Sequence, residues 1–270
     1  MRGLEVLLRQ CVLAASVLGD LDLVPRDDGV ELSGDPPVRV GWQQVVIVIG
    51  PVDPLSDLAR RRLGRWLRLR RLVADHGPLS AALLARAARL MALPADHAQH
   101  PGPDWVLGRV GGGLLDLGIG LHGLEADPEQ TAVLPPGIAL AAGIDVHDWW
   151  PSLREHADRM GSLSAARLRR NADPQAVLRP VGGCHVTALL ASRPLREYLA
   201  QGDGTGMRAL AVPTLDRGWC DLRLIDPAFV GAAWSATDAE HRGLPRALLV
   251  TADEVALAPT GHRPPRYATG

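Results

Sequence analysis

Asp96, His97, His100 and Asp104 stand within nine residues of one another, the densest gathering of ligand-type side chains in the chain. His97 and His100, three apart, share a face if the segment forms one helical turn. Asp96 or Asp104 then adds a carboxylate and leaves a position open for water, as catalytic zinc sites do. Against this, no H-E-x-x-H pattern is present, and Pro101 and Pro103 interrupt a regular turn. The competing reading is a polar loop between a helix and a strand. The sequence favours the loop, and no cofactor is expected.

Cys184 is a second candidate, as a nucleophile. Gly182 and Gly183 permit a sharp turn before a strand, where a reactive group can be held at an edge. His185 is its neighbour in the chain, but adjacent side chains on a strand point to opposite faces. The thiol therefore needs a histidine from elsewhere. With no family-type signature around it, Cys184 reads more simply as a small buried hydrophobe. The absence of G-x-S-x-G removes the strand-to-helix serine elbow.

Arg62, Arg109 and His156 are candidate ligand-binding residues. A helix over about 55–75 places Leu55, Leu58, Ala59, Leu63, Trp66, Leu69 and Val73 on one face. Arg60, Arg61, Arg68 and Arg71 lie opposite, as a solvated basic face that suits phosphates or nucleic acid. Arg62 projects into the apolar face, so its guanidinium must be paired. The two readings are a structural ion pair with a carboxylate, which is favoured, and an anion site at a cleft. His156 falls among Trp149, Leu153, Met160 and Leu163 on the next long helix. It reads as an acid/base or, preferably, as a histidine hydrogen-bonded to a backbone carbonyl. Arg109 lies in the glycine-rich stretch 105–124.

Gly118, Gly120 and Gly123 fit G-x-G-x-x-G, but dinucleotide binding needs a helix to begin at the second glycine. Gly123 and Pro128 leave no room for one. These glycines read as turns, bulges or close backbone approach.

Composition narrows the classes. All 29 basic side chains are arginine, and no lysine occurs in 270 residues. That excludes chemistry requiring an amine: a Walker-A loop, a Schiff-base enzyme, a protein kinase, a Ser-x-x-Lys acylase. A net charge of −1 argues against a nucleic-acid polycation. Cys11, Cys184 and Cys220 are too few and too widely spaced for a disulfide framework. Glu5, Arg9 and Gln10 break the apolar centre that a signal peptide needs, so residues 4–13 read as an amphipathic helix and the chain as cytoplasmic. No run reaches the length of a membrane span.

The elements that position these residues read as a mixed order. After the first helix, turns at Asp28-Gly29 and 33–37 punctuate a small meander. The β-branched run 45–49 is expected to be a strand. Asp53-Pro54 starts the helix over 55–75, and a second helix over 79–93 completes an αα-hairpin. Two strands fill 105–124, short strands follow to 146, and Asp148 caps a third helix ending near 170. Strands are then expected at 184–191, 207–212, 247–251 and 254–257, with helices at 194–200 and 227–237. The expected fold is α+β, with a mixed or mostly antiparallel sheet, several helices and the αα-hairpin in the N-terminal half. The expected regions are 1–171, 174–259 and a disordered tail at 260–270, the first two separate or fused as one compact domain.

No catalytic constellation is complete. The leading expectation is a non-catalytic binding or regulatory protein for a small molecule or a protein partner. The alternatives are a hydrolase using the 96–104 loop with a metal or Cys184, and an anion or nucleic-acid binder through the arginine-rich helix.

Overall fold

The computed structural model describes residues 2–77, 79–125, 129–171, 177–201, 204–220 and 225–259. The expected break at 172–174 and the expected tail at 260–270 lie outside the described residues. Within them the fold is α+β with antiparallel sheets. The chain divides into two units. The first holds Met1–Arg89, Ala98–Trp105 and Ile119–Pro151, and the second holds Leu90–His97, Val106–Gly118 and Ser152–Gly270.

In the first unit, helix α1 (Arg2–Gly19) buries Leu8, Cys11, Val12 and Ala15 at a helical spacing. A three-stranded antiparallel meander follows: β1 (Leu23–Pro25), β2 (Gly29–Leu32) and β3 (Val38–Gly41). Val38 and Val40 alternate inward along β3, as a half-buried strand requires. The run 45–49 is not a strand. It belongs to helix α2 (Trp42–Ile49), which buries Val45 and Ile49, one turn apart. Packing against the next helix overrides the β preference of branched residues.

That next helix, α3 (Asp57–Asp75), starts two residues later than expected. Ser56, not Asp53, is its cap, and accepts from the Ala59 amide at 3.2 Å. Asp53 instead closes a turn by accepting from Leu55 N at 3.0 Å. Leu55 and Leu58 consequently stand in solvent, at 38 % and 40 % exposure, rather than on the buried face. A Cβ on Gly64 of α3 would lie 3.4 Å from the Ala15 carbonyl, so glycine lets α1 and α3 approach closely. Helix α4 (Ala81–Ala87) is one of the short elements, and strand β4 (Ala88–Leu93) takes up the rest of the expected second helix.

Strands β5 (Gly108–Val110), β6 (Leu115–His122) and β7 (Thr131–Val133) follow. Strand β6 is buried at seven of its eight positions, through Gly118 and Gly120, so no helix opens at the second glycine of the motif. Helix α5 (Pro136–Ala141) occupies part of the region expected to hold short strands. Asp145, rather than Asp148, caps a 3-10 turn that runs into helix α6 (Trp150–Asn171).

The rest of the second unit is built on a five-stranded antiparallel sheet. Its strands are β8 (Val177–Leu178), β9 (Arg208–Thr214), β10 (Arg217–Trp219), β11 (Leu248–Val250) and β12 (Val255–Leu257), in the order β12-β11-β9-β10-β8. Helices α7 (Val186–Leu189), α8 (Arg193–Ala200) and α9 (Pro227–Ala236) complete it. The segment 184–191, expected as a strand, is therefore a turn and a short helix. Asp226 caps α9 and Pro227 opens it, the pairing of cap and proline that a helix start favours. Among the described residues no helix is long and apolar enough to cross a membrane.

Candidate functional site

In the second unit, strands β9 and β10 are joined by a tight turn with Leu215 and Asp216 at its tip. The backbone of Leu215 is held on both sides. Its amide donates to the His241 carbonyl and its carbonyl accepts from Val186 N, both at 2.8 Å. These two bonds bring residues 185 and 241 to the turn. The His185 ring is hydrogen-bonded through Nδ1 to Asp216 Oδ1, with the imidazole largely enclosed (16 % exposed) and the carboxylate half open (47 %).

Burial alone would raise the Asp216 carboxyl. The hydrogen bond from His185 and the nearby charges of His185 and His241 outweigh it, and hold the group below its ordinary value. A carboxylate that engages Nδ1 orients an imidazole and leaves Nε2 to take or give a proton. The histidine and the aspartate are 31 residues apart, and no spacing rule in the sequence pairs them. The available signal was a polar residue at a two-residue strand turn, which is common to most hairpins.

Cys184 is fully buried. It closes a two-residue turn with Val181, each amide donating to the other's carbonyl at 3.1 and 3.0 Å. Gly182 and Gly183 take φ of +56° and +80°, the left-handed pair that this turn requires. His156 supports it from α6, with Nε2 at 3.2 Å from the Gly182 carbonyl. A side chain at Gly182 would collide with Met160, whose sulfur would lie 2.3 Å from its Cβ. His156 is thus half-buried and aimed at a backbone carbonyl of the turn that precedes His185. Because residue 185 begins a helix, strand alternation does not govern where its ring points.

The 96–104 segment distributes its side chains differently from a metal site. His97 and His100 are buried, while Asp96 and Asp104 are exposed. His100 Nδ1 accepts from Gly102 N at 3.1 Å, and the ring meets Trp105 edge-on at 5.2 Å. Trp105, itself buried, donates Nε1 to the Ile119 carbonyl at 2.9 Å. Among the described residues no group of three His, Cys, Asp or Glu is placed to hold a metal ion. The His100 imidazole serves packing and turn closure, and no metal is assigned to the segment.

Several arginines of α3 bond to groups within the first unit. Arg62 donates to the Ile49 carbonyl at 3.5 Å, at the C-terminal end of α2, and not to a carboxylate. A cation there complements the helix dipole. Arg68 does the same for α1, at the Gly19 carbonyl, 3.3 Å away. Arg71, expected in solvent, is only 13 % exposed. It holds the turn before β3 through the Pro36 carbonyl at 2.8 Å and the Ser33 carbonyl at 3.4 Å, and also grips Asp75. Arg60 is half-buried and pairs with Asp57. Arg61 remains in solvent. Of the four arginines expected on a continuous basic face, Arg60, Arg68 and Arg71 make internal bonds, Arg68 while still exposed, and Arg61 stays in solvent. Arg109 forms a cross-strand pair with Asp116, its direct neighbour in the β5–β6 register, at 3.0 Å.

One surface feature was invisible to the residue clusters. Of the fifteen large apolar side chains exposed among the described residues, ten lie between Leu4 and Leu58. They are concentrated on α1, at the end of α2 and at the start of α3. Ile47 and Val46 sit side by side on α2 at 77 % and 42 % exposure. Arg62, one turn after Leu58 on α3, ties the end of α2 to α3.

No family model matches the chain, and neither the curated proteins nor the solved structures give a match.

Proposed function

We propose that the chain is a cytoplasmic, non-catalytic binding or regulatory protein that engages a protein partner through the adjoining ends of α2 and α3. One observation carries this reading: Val46, Ile47, Leu55 and Leu58 leave apolar surface open where Arg62 ties the two helices together. Scattered apolar residues are normal on a surface, but a local concentration marks a contact site. Full burial of a side chain such as Ile47 is worth about 1.5–3 kcal/mol, so a partner that covers several gains a strong anchor. Arg61, exposed on the same stretch of α3, supplies a polar rim. The test is chemical cross-linking of the tagged chain in its own cells. A discrete cross-linked protein complex is expected, and its loss in Ile47→Glu/Leu58→Glu at unchanged Tm. A complex that persists in the double variant, or none with the unaltered chain, overturns the reading.

A second reading, a hydrolase, is favoured by the His185–Asp216 pair. An imidazole oriented by a carboxylate can activate water as a general base. Cys184 is enclosed behind its turn and fits a nucleophile only if that turn opens. A screen of ester, peptide and phosphoester substrates tests it: turnover abolished by His185→Ala supports it, and turnover indifferent to that change removes it.

A further inference from the structure

We infer that the segment seated on the ends of α2 and α3 is acidic as well as apolar: a peptide that lays apolar side chains on Val46, Ile47, Leu55 and Leu58 and a carboxylate on Arg62. The inference rests on the proposed contact and adds the chemistry of its occupant.

Arg62 is underused where it stands. It lies one turn after Leu58, on the same side of α3. It is half-buried, and its Nε is enclosed with no hydrogen-bond partner. A guanidinium has five N–H donors. Among the described residues this one makes a single bond, from Nη1 to the Ile49 carbonyl at 3.5 Å, the outer limit for such a contact. A Cβ built on Gly50 would lie 3.7 Å from the same Nη1, so the group rests against bare backbone at the end of α2.

Among the described residues no carboxylate completes it. The acids of α3, Asp57 and Asp75, are taken by Arg60 and Arg71. Asp53, in the turn before α3, accepts from Leu55 N. Arg61 is exposed and makes neither an ion pair nor a hydrogen bond. Four open apolar side chains thus stand with two cations that have no anion of their own.

That charge selects the occupant. Covering Leu58 also takes water from Arg62, one turn away. An uncharged segment would leave a dehydrated guanidinium without a counter-ion, and a basic one would be repelled. A carboxylate meets a guanidinium with two oxygens and needs no further group. A doubly charged phosphate fits less well, because Arg62 sits at the negative, C-terminal end of α2. An anionic membrane calls for a cluster of about 4–8 free basic side chains. Arg60, Arg68 and Arg71 of α3 are already engaged.

The test pans a displayed library of random peptides on the immobilised full chain. Enriched sequences should set Asp or Glu among Leu, Ile and Phe. Fluorescence anisotropy of the strongest peptide should show binding weakened about tenfold or more by Arg62→Gln, and by less in Arg61→Gln. A charge swap separates contact from damage to the fold: Arg62→Glu should recover binding when the acid of the peptide is changed to Arg. Enrichment of basic or uncharged peptides overturns the inference, as does no enrichment, or an acidic peptide indifferent to Arg62→Gln. So does binding to vesicles of phosphatidylcholine and phosphatidylserine in equal parts that Arg62→Gln abolishes while no peptide is enriched. The apolar contact is read separately with Ile47→Gln/Leu58→Gln, which adds no charge. Uncharged peptides lost in that double variant would leave the contact standing and remove the acid. Acidic peptides that need Arg62 but not Ile47 or Leu58 would uphold the carboxylate and remove the contact.

Discussion

The two units treat their apolar side chains in opposite ways. The first leaves eleven large ones open among its described residues, from Leu4 to Leu58 with Leu140. The second, although larger, leaves four: Leu163, Met207, Phe229 and Leu257. Their polar groups divide the other way. In the first unit the conspicuous cations, Arg62, Arg68 and Arg71, are fasteners on backbone carbonyls. In the second, His185, Asp216 and His241 gather at a turn where a titratable pair meets solvent. Apolar surface left open after the internal helix contacts are made is what the proposed partner contact would use. A charged pair at a held turn offers proton chemistry instead. The proposed contact and the proposed chemistry therefore draw on different units, and each proposal is open to test.

The largest effects should come from two half-buried arginine fasteners, one in each unit. Arg71 bonds two carbonyls and Asp75; Arg196 bonds the Leu190, Ala191 and Ala252 carbonyls at 3.0, 2.9 and 3.1 Å. Burial lowers the Arg196 pKa from its ordinary value, with the charge of Arg154 adding to it, so this guanidinium is held despite a desolvation penalty. Replacing either by Ala should cost about 2–4 kcal/mol, since several charge-assisted bonds are lost and carbonyls are left unpaired. Denaturant melts of Arg71→Ala and Arg196→Ala beside Arg61→Ala measure this. Arg61→Ala should change stability by less than about 0.5 kcal/mol. Equal effects at positions 61 and 71 would contradict the division of α3 into bound and free arginines.

Next comes the 96–104 segment. His100→Ala should destabilise by about 1–3 kcal/mol, because it removes a buried ring from Trp105 and the acceptor for Gly102 N. The loss should be the same with and without added zinc. A zinc-dependent difference in Tm would restore the metal reading of this loop.

The smallest effect concerns the His185–Asp216 pair. Because folding lowers the Asp216 pKa, its contribution to stability is complete above the ordinary carboxylate range. It is lost as pH falls through the lower, folded value. Asp216 is half exposed, so solvent screens the pair, and Asp216→Asn should cost on the order of 1 kcal/mol at neutral pH. Its acid limb of stability should be shallower than that of the unaltered chain. Parallel acid limbs would show that the pair does not form in solution.

How far the sequence reaches can be seen in particular residues. The meander, β9, α8, α9 and the last two strands follow from alternation, turn residues and caps, all local signals. The run 45–49 misled because branched residues suit both a strand and a buried helical stripe, and only the neighbouring helix decides between them. Segment 184–191 misled for the same reason. The wheel of α3 assumed one buried face, but Arg71 lies next to a turn 35 residues earlier in the chain, a contact no wheel contains. Cys184 was legible as a suggestive thiol in need of a distant histidine, whereas the pair that forms is His185 with Asp216, brought together by the Val186–Leu215 backbone bond. The open apolar surface was illegible in principle. Val17 and Ile47 have the same residue types as core positions, and exposure is a property of the assembled unit.

The contrast between the units is tested most directly by photo-cross-linking in the cell. A photoreactive residue is placed at Ile47 or Leu58 in the first unit, and at Met207 or Phe229 in the second, all four of them large apolar side chains exposed in the fold. Positions 47 and 58 should each trap the same discrete protein, while positions 207 and 229 should trap none above background. Trapping of equal strength at all four positions, or trapping confined to 207 and 229, would contradict the assignment of the contact surface to the N-terminal helices.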